Sequence, residues 1–335
     1  MHKPRKLIVN GVSIHIVWSK RMTKSRAKII VNGKHFWIQL SEPLLQSKED
    51  ISDAVTELFH KSALILTDDK QLHVRGKKMG SGGFSSVYLC ADNPELVIKT
   101  NEYVNLKNFT KANPLKNEIL AYTIFEKANI DFDKRFVPKY HGCSGDECIL
   151  LERYHTDLRK VSKIMDDDKI NAIIIDIITS LEFIHSSGLV HCDVKQGNVF
   201  LDSDHRAVLG DFGFSKPYIT KPSGISYTKS RYGTLAYMSR DVHDRIQPTR
   251  RTDIETLGWV IIELLKGVLP WKTCMSVDTV GLYKHNVFRD VNKFLSECFV
   301  DAVPPSIIQY LNYVQKMAYH DEPHYVSLKQ MFSST

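Results

Sequence analysis

The sequence predicts an α+β fold in two lobes, a small β-rich lobe followed by a larger helical one, with a short strand-and-helix extension ahead of both. Three observations carry this. From about residue 71, short strands flank a glycine-rich turn. From about residue 155, helical spacing dominates. The first 40 residues hold two stretches, LIVNGVSIHIVW and KIIVNGKHFWIQL, each placing Asn-Gly between β-branched and aromatic runs. Asn-Gly between such runs is a strong hairpin signal, because both residues tolerate the positive φ of a tight turn.

The extension spans residues 1–70. After the two hairpins, SKEDISDAVTELFHKSA at 47–63 starts with a Ser-x-x-Asp cap and spaces Ile51, Val55, Leu58 and Phe59 helically. Up to residue 41 there are nine basic residues and no acid, so this stretch carries +9; with +7 overall, the remainder carries −2. Such asymmetry suits an anionic partner, nucleic acid included, and equally a solvated face. Trp18, His35, Phe36 and Trp37 interleave with these charges. They suit stacking on single-stranded bases or the packing of a small core.

The remainder, 71–335, reads as one domain with an N-lobe over about 71–152 and a C-lobe from about 155. A helix is expected near 113–127. A long apolar one is expected over DDKINAIIIDIITSLEFIHSSG, closed by Gly188. No low-complexity linker separates the lobes, so they are expected to act together. Hydrophobic content of 43% and charged content of 25% are those of a globular protein. The longest apolar helical run is broken by Asp176, and the N-terminus lacks a secretory pattern. The six cysteines are scattered without zinc-ligand spacing, which predicts reduced thiols in a cytoplasmic or nuclear setting and no structural metal.

The chemistry lies in four stretches. KKMGSGGFSSVYLC supplies Gly80, Ser81, Gly82, Gly83, Phe84, Ser85 and Val87, where glycines let backbone N–H groups approach phosphate oxygens. Ser85 stands where the third glycine of G-x-G-x-x-G would be. ELVIKT ends a strand at Lys99, which can hold phosphate oxygens if a carboxylate directs it; Glu118 in LKNEILAY is the natural partner. GLVHCDVKQGNVFL places Asp193 to accept or orient a hydroxyl proton. In the same stretch Lys195 can neutralise the transferred phosphoryl group and Asn198 can hold Mg²⁺. Thirteen residues after Asn198, VLGDFGFS offers Asp211 as a second Mg²⁺ ligand. Each triplet alone is common; their order and spacing together are not.

With these motifs the chain resembles a eukaryotic-type protein kinase, and Lys195 resembles the serine/threonine branch. LERYHTDLRKV, RYGTLAYMSRDVH and RRTDIETLGWVIIELLKGVLPW are similar to the casein kinase 1 group, and within it nearest to the vaccinia-related kinases. The likeness covers about 71–333 and is compatible with a viral origin. It implies ATP and Mg²⁺ as cofactors and Ser/Thr of proteins as substrate, acidic or chromatin-associated proteins among them. A monomer is expected. The likeness makes Leu151 the gatekeeper, turns backbone groups of Glu152 and Tyr154 to adenine, and sandwiches the base with Val87, Val97 and Phe200. It brings Asp157 toward the ribose, Thr234 onto Asp193 or Lys195, and Asp253 under the catalytic-loop backbone.

Two departures stand out. Cys192 replaces the Arg that pairs with a loop phosphate in many kinases, which predicts activity without activation-loop phosphorylation and an inert thiol. Asp241 replaces the Glu of the usual APE segment. Lys216, Lys221, Lys229 and Arg231 in FSKPYITKPSGISYTKSRYG could form an anion-recognition strip or a solvated loop. A scaffold that binds nucleotide without transfer is the alternative reading, against which stand Lys99, Asp193 and Asp211.

Overall fold

The computed structural model describes residues 64–67, 71–101, 113–128, 136–162, 165–218, 224–299 and 302–333, together with the backbones of strands β1 (Arg5–Val9), β2 (Val12–Trp18), β3 (Arg26–Val31) and β4 (Lys34–Gln39). The expected helix at 47–63, Lys221 and both Asn-Gly turns lie outside the described residues. The strands flanking those turns pair antiparallel as β1-β2-β3-β4. Val9 opposes Val12 and Val31 opposes Lys34, the register of two-residue turns.

Two compact units make up the chain: 1–119 with 139–153, and 120–138 with 154–335. The first contains a six-stranded antiparallel sheet in the order β5-β6-β7-β8-β10-β9. Its strands are β5 (Leu64–Leu66), β6 (Leu72–Ser81), β7 (Ser85–Cys90), β8 (Leu96–Asn101), β9 (Tyr140–Ser144) and β10 (Cys148–Glu152). β5 precedes residue 71 and pairs with β6 from Leu64↔Val74 to Leu66↔Leu72. Side chains alternate between the faces of a strand. One face therefore buries Cys90, Leu96, Ile98, Cys148 and Leu150 in a core with Ile65. The register then decides the other face: Val87 opposes Lys99, and Val97 opposes Leu151.

The second unit is helical. Helix Asp167–Ser186 is capped by the Asp166 carboxylate, which accepts from Lys169 N at 2.9 Å, and the chain leaves it through Gly188 at φ +81°. Its Ile174, Ile177 and Ile178 are fully buried, each stabilising the fold by about 1.5–3 kcal/mol. Helix Arg250–Lys266 opens with Thr249 N donating to Thr252 Oγ1 at 3.1 Å and ends at Gly267 in the left-handed region. It is buried over most of its length, and Gly258 admits Leu311 and Tyr310 of helix Pro305–Lys316. No helix among the described residues is long and apolar enough to cross a membrane.

Candidate active site

In the first unit, Lys99 Nζ donates to Glu118 Oε2 at 2.5 Å, with the carboxylate side chain 1% exposed. Period-two alternation turns Lys99 away from the core face carrying Ile98. Helix Pro114–Lys127 supplies Glu118. Val87, Val97, Lys99 and Leu151, predicted as nucleotide residues from separate stretches, share one sheet face through the strand register. The glycine-rich turn is the tip of the β6–β7 hairpin, closed by Gly82 N donating to Ser85 O at 2.8 Å. A Cβ at Gly80 or Gly83 would meet nothing within 4 Å, so the tip backbone stays open to a bulky anion. Phe84 stands exposed at the tip, and Glu152 N donates to Lys139 O at 2.9 Å.

The second unit builds the transfer loop on one buried carboxylate. Asp253 is fully buried. Its Oδ1 accepts from Cys192 N at 2.8 Å, and its Oδ2 accepts from His191 N at 2.7 Å and pairs with His185 Nε2 at 2.9 Å. Burial opposes its ionisation, yet the His185 hydrogen bond and the neighbouring histidines outweigh burial and hold the carboxyl below the usual range. Asp253 thereby pulls the backbone around Cys192, which adopts φ +68°, a strained state for a non-glycine residue. Burial drives His191 toward its neutral form. Its Nδ1 accepts from Asp193 N at 3.2 Å, so Nε2 carries the proton and donates to Gly210 O at 3.1 Å.

Every predicted transfer residue in this loop meets Asp193. Its Oδ1 accepts from Thr234 N at 2.9 Å and Thr234 Oγ1 at 2.8 Å; Oδ2 accepts from Lys195 Nζ at 2.6 Å and Asn198 Nδ2 at 3.3 Å. Lys195 Nζ also donates to Thr234 Oγ1 at 3.1 Å. Asn198 spends its nitrogen on Asp193 O as well, at 2.9 Å, so Oδ1 is the side-chain oxygen that a cation could use. Asn198 Oδ1 and the Asp211 carboxylate are hard oxygen donors, the set that suits Mg²⁺. Asp211 is held at φ +66° while the fully buried Phe212 packs against Tyr122, Phe125 and His191.

The remaining expected residues lie as follows. Phe200 packs near Tyr154, with ring centroids 6.1 Å apart. Asp157 is buried and paired with Arg159 and Lys160 at 3.0 and 3.1 Å. Burial opposes its ionisation, and those two cations outweigh it. Asp241 pairs with Arg251 at 2.6 Å. Of the four loop cations, Lys229 is exposed, Lys216 lies 3.5 Å above the Tyr232 ring, and Arg231 donates to His243 O and Asp278 at 2.7 Å each. Among the described positions, then, Lys229 is exposed, while Lys216 and Arg231 are half-buried and already engaged. Burial, then Asp253, raises the Cys192 thiol well above its ordinary pKa, which keeps it unreactive.

Three arrangements were not foreseen. Glu263 accepts from Gln196 Nε2 at 2.9 Å, Lys272 Nζ at 2.7 Å and the Tyr237 hydroxyl. His185 Nδ1 lies 2.6 Å from Tyr325 OH, tying helix Tyr325–Gln330 to Asp253. Their partners stand far apart in sequence, so local patterning carried no signal for either. The third is a buried trio of His73, Cys90 and Asp92, the one such ligand group among the described residues. It closes on itself: His73 Nδ1 lies 2.9 Å from Asp92 Oδ2, and Cys90 Sγ donates to Asp92 Oδ1 at 3.2 Å. Burial, reinforced by Asp92, pushes that thiol up to about 12, so it remains a hydrogen-bond donor.

The family model for the protein kinase domain matches residues 73–321. A probable serine/threonine-protein kinase of fowlpox virus is 30% identical over 77% of this chain and 94% of its own length. Nucleosomal histone kinase 1 of Drosophila melanogaster is 29% identical over 77% of this chain and 47% of its own. The B1 kinase of vaccinia virus (strain Ankara) is 27% identical over 78% of this chain and 94% of its own.

Proposed function

The chain belongs to the protein kinase family, to its vaccinia-related serine/threonine branch, and from that premise we propose that it moves the γ-phosphate of ATP onto Ser or Thr of a protein, with Mg²⁺, and without needing a phosphate on its own activation loop. The observation that carries this reading is the Asp193 carboxylate, held by Thr234, Lys195 and Asn198 at 2.6–3.3 Å. A carboxylate fixed so tightly orients a substrate hydroxyl and receives its proton, while Lys195 offsets charge on the phosphoryl group. Thr234 defines the depth at which a Ser or Thr side chain meets Asp193. Lys99, directed by Glu118, is assigned the α- and β-phosphates, and the amides of Gly80–Ser85 the outer ones. Val87, Val97 and Leu151, which share one sheet face, and separately Phe200 are assigned to adenine by the resemblance. Backbone groups of Glu152 and Tyr154 bind the adenine edge, and Asp157 serves the ribose. Asn198 and Asp211 would hold Mg²⁺, whose charge lowers the cost of gathering phosphate oxygens.

Independence from loop phosphorylation is supported by contacts that already anchor the segment. Lys216 stacks on Tyr232, Arg231 bridges His243 O and Asp278, and Tyr227 bridges Ile246. The nucleosomal kinase among the relatives supports chromatin proteins as a substrate class, inside the cell. Residues 1–70 are taken as an appended unit whose +9 up to residue 41 suits an anionic partner, nucleic acid included.

The test is transfer from ATP-Mg²⁺ by purified protein to casein and histones, with Asp193→Asn beside it. Labelled Ser or Thr with wild type alone is expected. ATP binding without transfer by either protein would refute the reading. Prior phosphorylation within 213–240 is expected to change the rate less than about threefold, whereas loop-dependent kinases gain far more.

A further inference from the structure

One lysine in the second unit has no part in the chemistry above and no exposure to solvent. Lys284, on helix Val277–Val287, is 0% exposed. Gly281, one turn earlier, lets that helix close onto helix Arg240–His243; a Cβ there would stand 3.0 Å from the His243 ring. Lys284 Nζ donates to Met238 O at 2.6 Å, Ala236 O at 3.0 Å and Leu235 O at 3.4 Å. The Trp259 and Trp271 rings lie 5.5 and 5.1 Å away, and Trp271 Nε1 donates to Ala236 O at 2.8 Å. Burying an ammonium is costly unless its donors are matched, and here three donors meet three carbonyls. Those carbonyls belong to three of the four residues directly after Thr234, which grips Asp193.

We infer that Lys284 is a positioning residue for the protein substrate, its ammonium holding the Leu235–Met238 backbone in the shape that seats the substrate chain beside Asp193. The inference rests on the phosphotransfer reading above. It also makes substrate handling sensitive to pH. Burial lowers the Lys284 pKa to about 7, against partial support from Glu255. Glu255 is itself held by Arg240 N and Nε at 2.8 and 3.0 Å. His243 faces the same interior and adds no charge near neutrality, because burial, then Lys284 and Arg231, pushes its pKa down to about 3. Of the other groups near His243, Arg231 pairs with Asp278, and the His285 ring lies 3.0 Å from Asp244. A neutral amine keeps two donors for three carbonyls, so the segment loses one anchor as pH rises through about 7.

Stability moves the opposite way. With the folded pKa below the ordinary 10.5, the unfolded chain binds the extra proton between about 7 and 10.5. This lysine therefore adds stability as pH increases across that window. A purely structural lysine would leave KM flat while stability rises with pH; a positioning one weakens substrate binding as stability rises.

The experiment measures KM for casein at saturating ATP-Mg²⁺ from pH about 6 to about 8.5, on the full chain and on Lys284→Met, with ε-¹³C-lysine NMR over the same range. In the wild type, KM is expected to rise roughly three- to tenfold with a midpoint near neutrality, the effect of losing one buried hydrogen bond. The variant is expected to hold a high, flat KM, with KM for ATP unchanged within about twofold. One lysine resonance should titrate near 7 and vanish in the variant; the wild-type titration still decides if the variant does not fold. A flat wild-type KM, or no lysine titrating below about pH 9, overturns the inference. If no substrate is phosphorylated at any pH, the kinase reading has failed instead, and amide exchange decides the anchor. Faster exchange at Leu235–Met238 in the variant keeps it; equal exchange removes it.

Discussion

A methyl group added at Gly83, in the β6–β7 hairpin, would meet nothing within 4 Å; one added at Gly233 would stand 2.8 Å from Cys192 O on a backbone at φ +84°. The same residue type thus does two jobs. In the hairpin, glycine keeps backbone amides uncovered for an outside group, and its absence of a side chain matters only when that group is present. Beside the transfer loop, glycine lets one strand of backbone lie on another, and the fold itself depends on it. Lys99 and Asp193 repeat the contrast. The first is paired with Glu118, from a helix, whereas the second is held by Thr234, Lys195 and Asn198 together.

The comparison can be broken at several points. Lys99→Met removes the cation beside the buried Glu118 carboxylate, so kcat is expected to fall about 10²–10³-fold in steady-state phosphotransfer and Tm to fall with it, a broken buried pair costing about 3–5 kcal/mol. An unchanged kcat would remove Lys99 from the transfer chemistry. Gly233→Ala should cost about 1–3 kcal/mol in urea unfolding, from positive φ and the Cys192 carbonyl. Gly83→Ala should cost less than about 0.5 kcal/mol in the same assay yet raise KM for ATP several-fold. Equal losses for the two glycines would erase the distinction. Acid titration sharpens it further. Asp253 is held below the ordinary carboxylate range, so its stabilisation is present above about pH 4 and is lost as pH falls through its folded value. An Asp253→Asn variant should therefore show a shallower acid limb in unfolding scans. The smallest effect concerns Cys192: alkylation by iodoacetamide at pH about 8 should leave this buried thiol unmodified until the protein unfolds.

Much of the site was legible in the chain because its chemistry is local. Asp193, Lys195 and Asn198 lie within six residues, so one loop carries them wherever the rest of the fold goes. The Lys99 strand and the helix closed by Gly188 were readable for the same reason, since period two and period 3.6 are short-range rules. The four loop cations show the limit. In sequence they are one basic run, but Lys216 goes to Tyr232 and Arg231 to Asp278, choices made by groups 16 and 47 residues away. Lys284 is the extreme case: on a helix it reads as a solvated charge, and only the approach permitted by Gly281 sinks it among Trp259, Trp271 and three carbonyls. By itself, then, the chain determined which groups carry the chemistry and which elements present them, because motif spacing and strand or helix periodicity act over a few residues. Only the tertiary structure decided which charges are buried, what holds each one and which glycines the fold requires. Burial and hydrogen bonding join partners that the sequence keeps far apart.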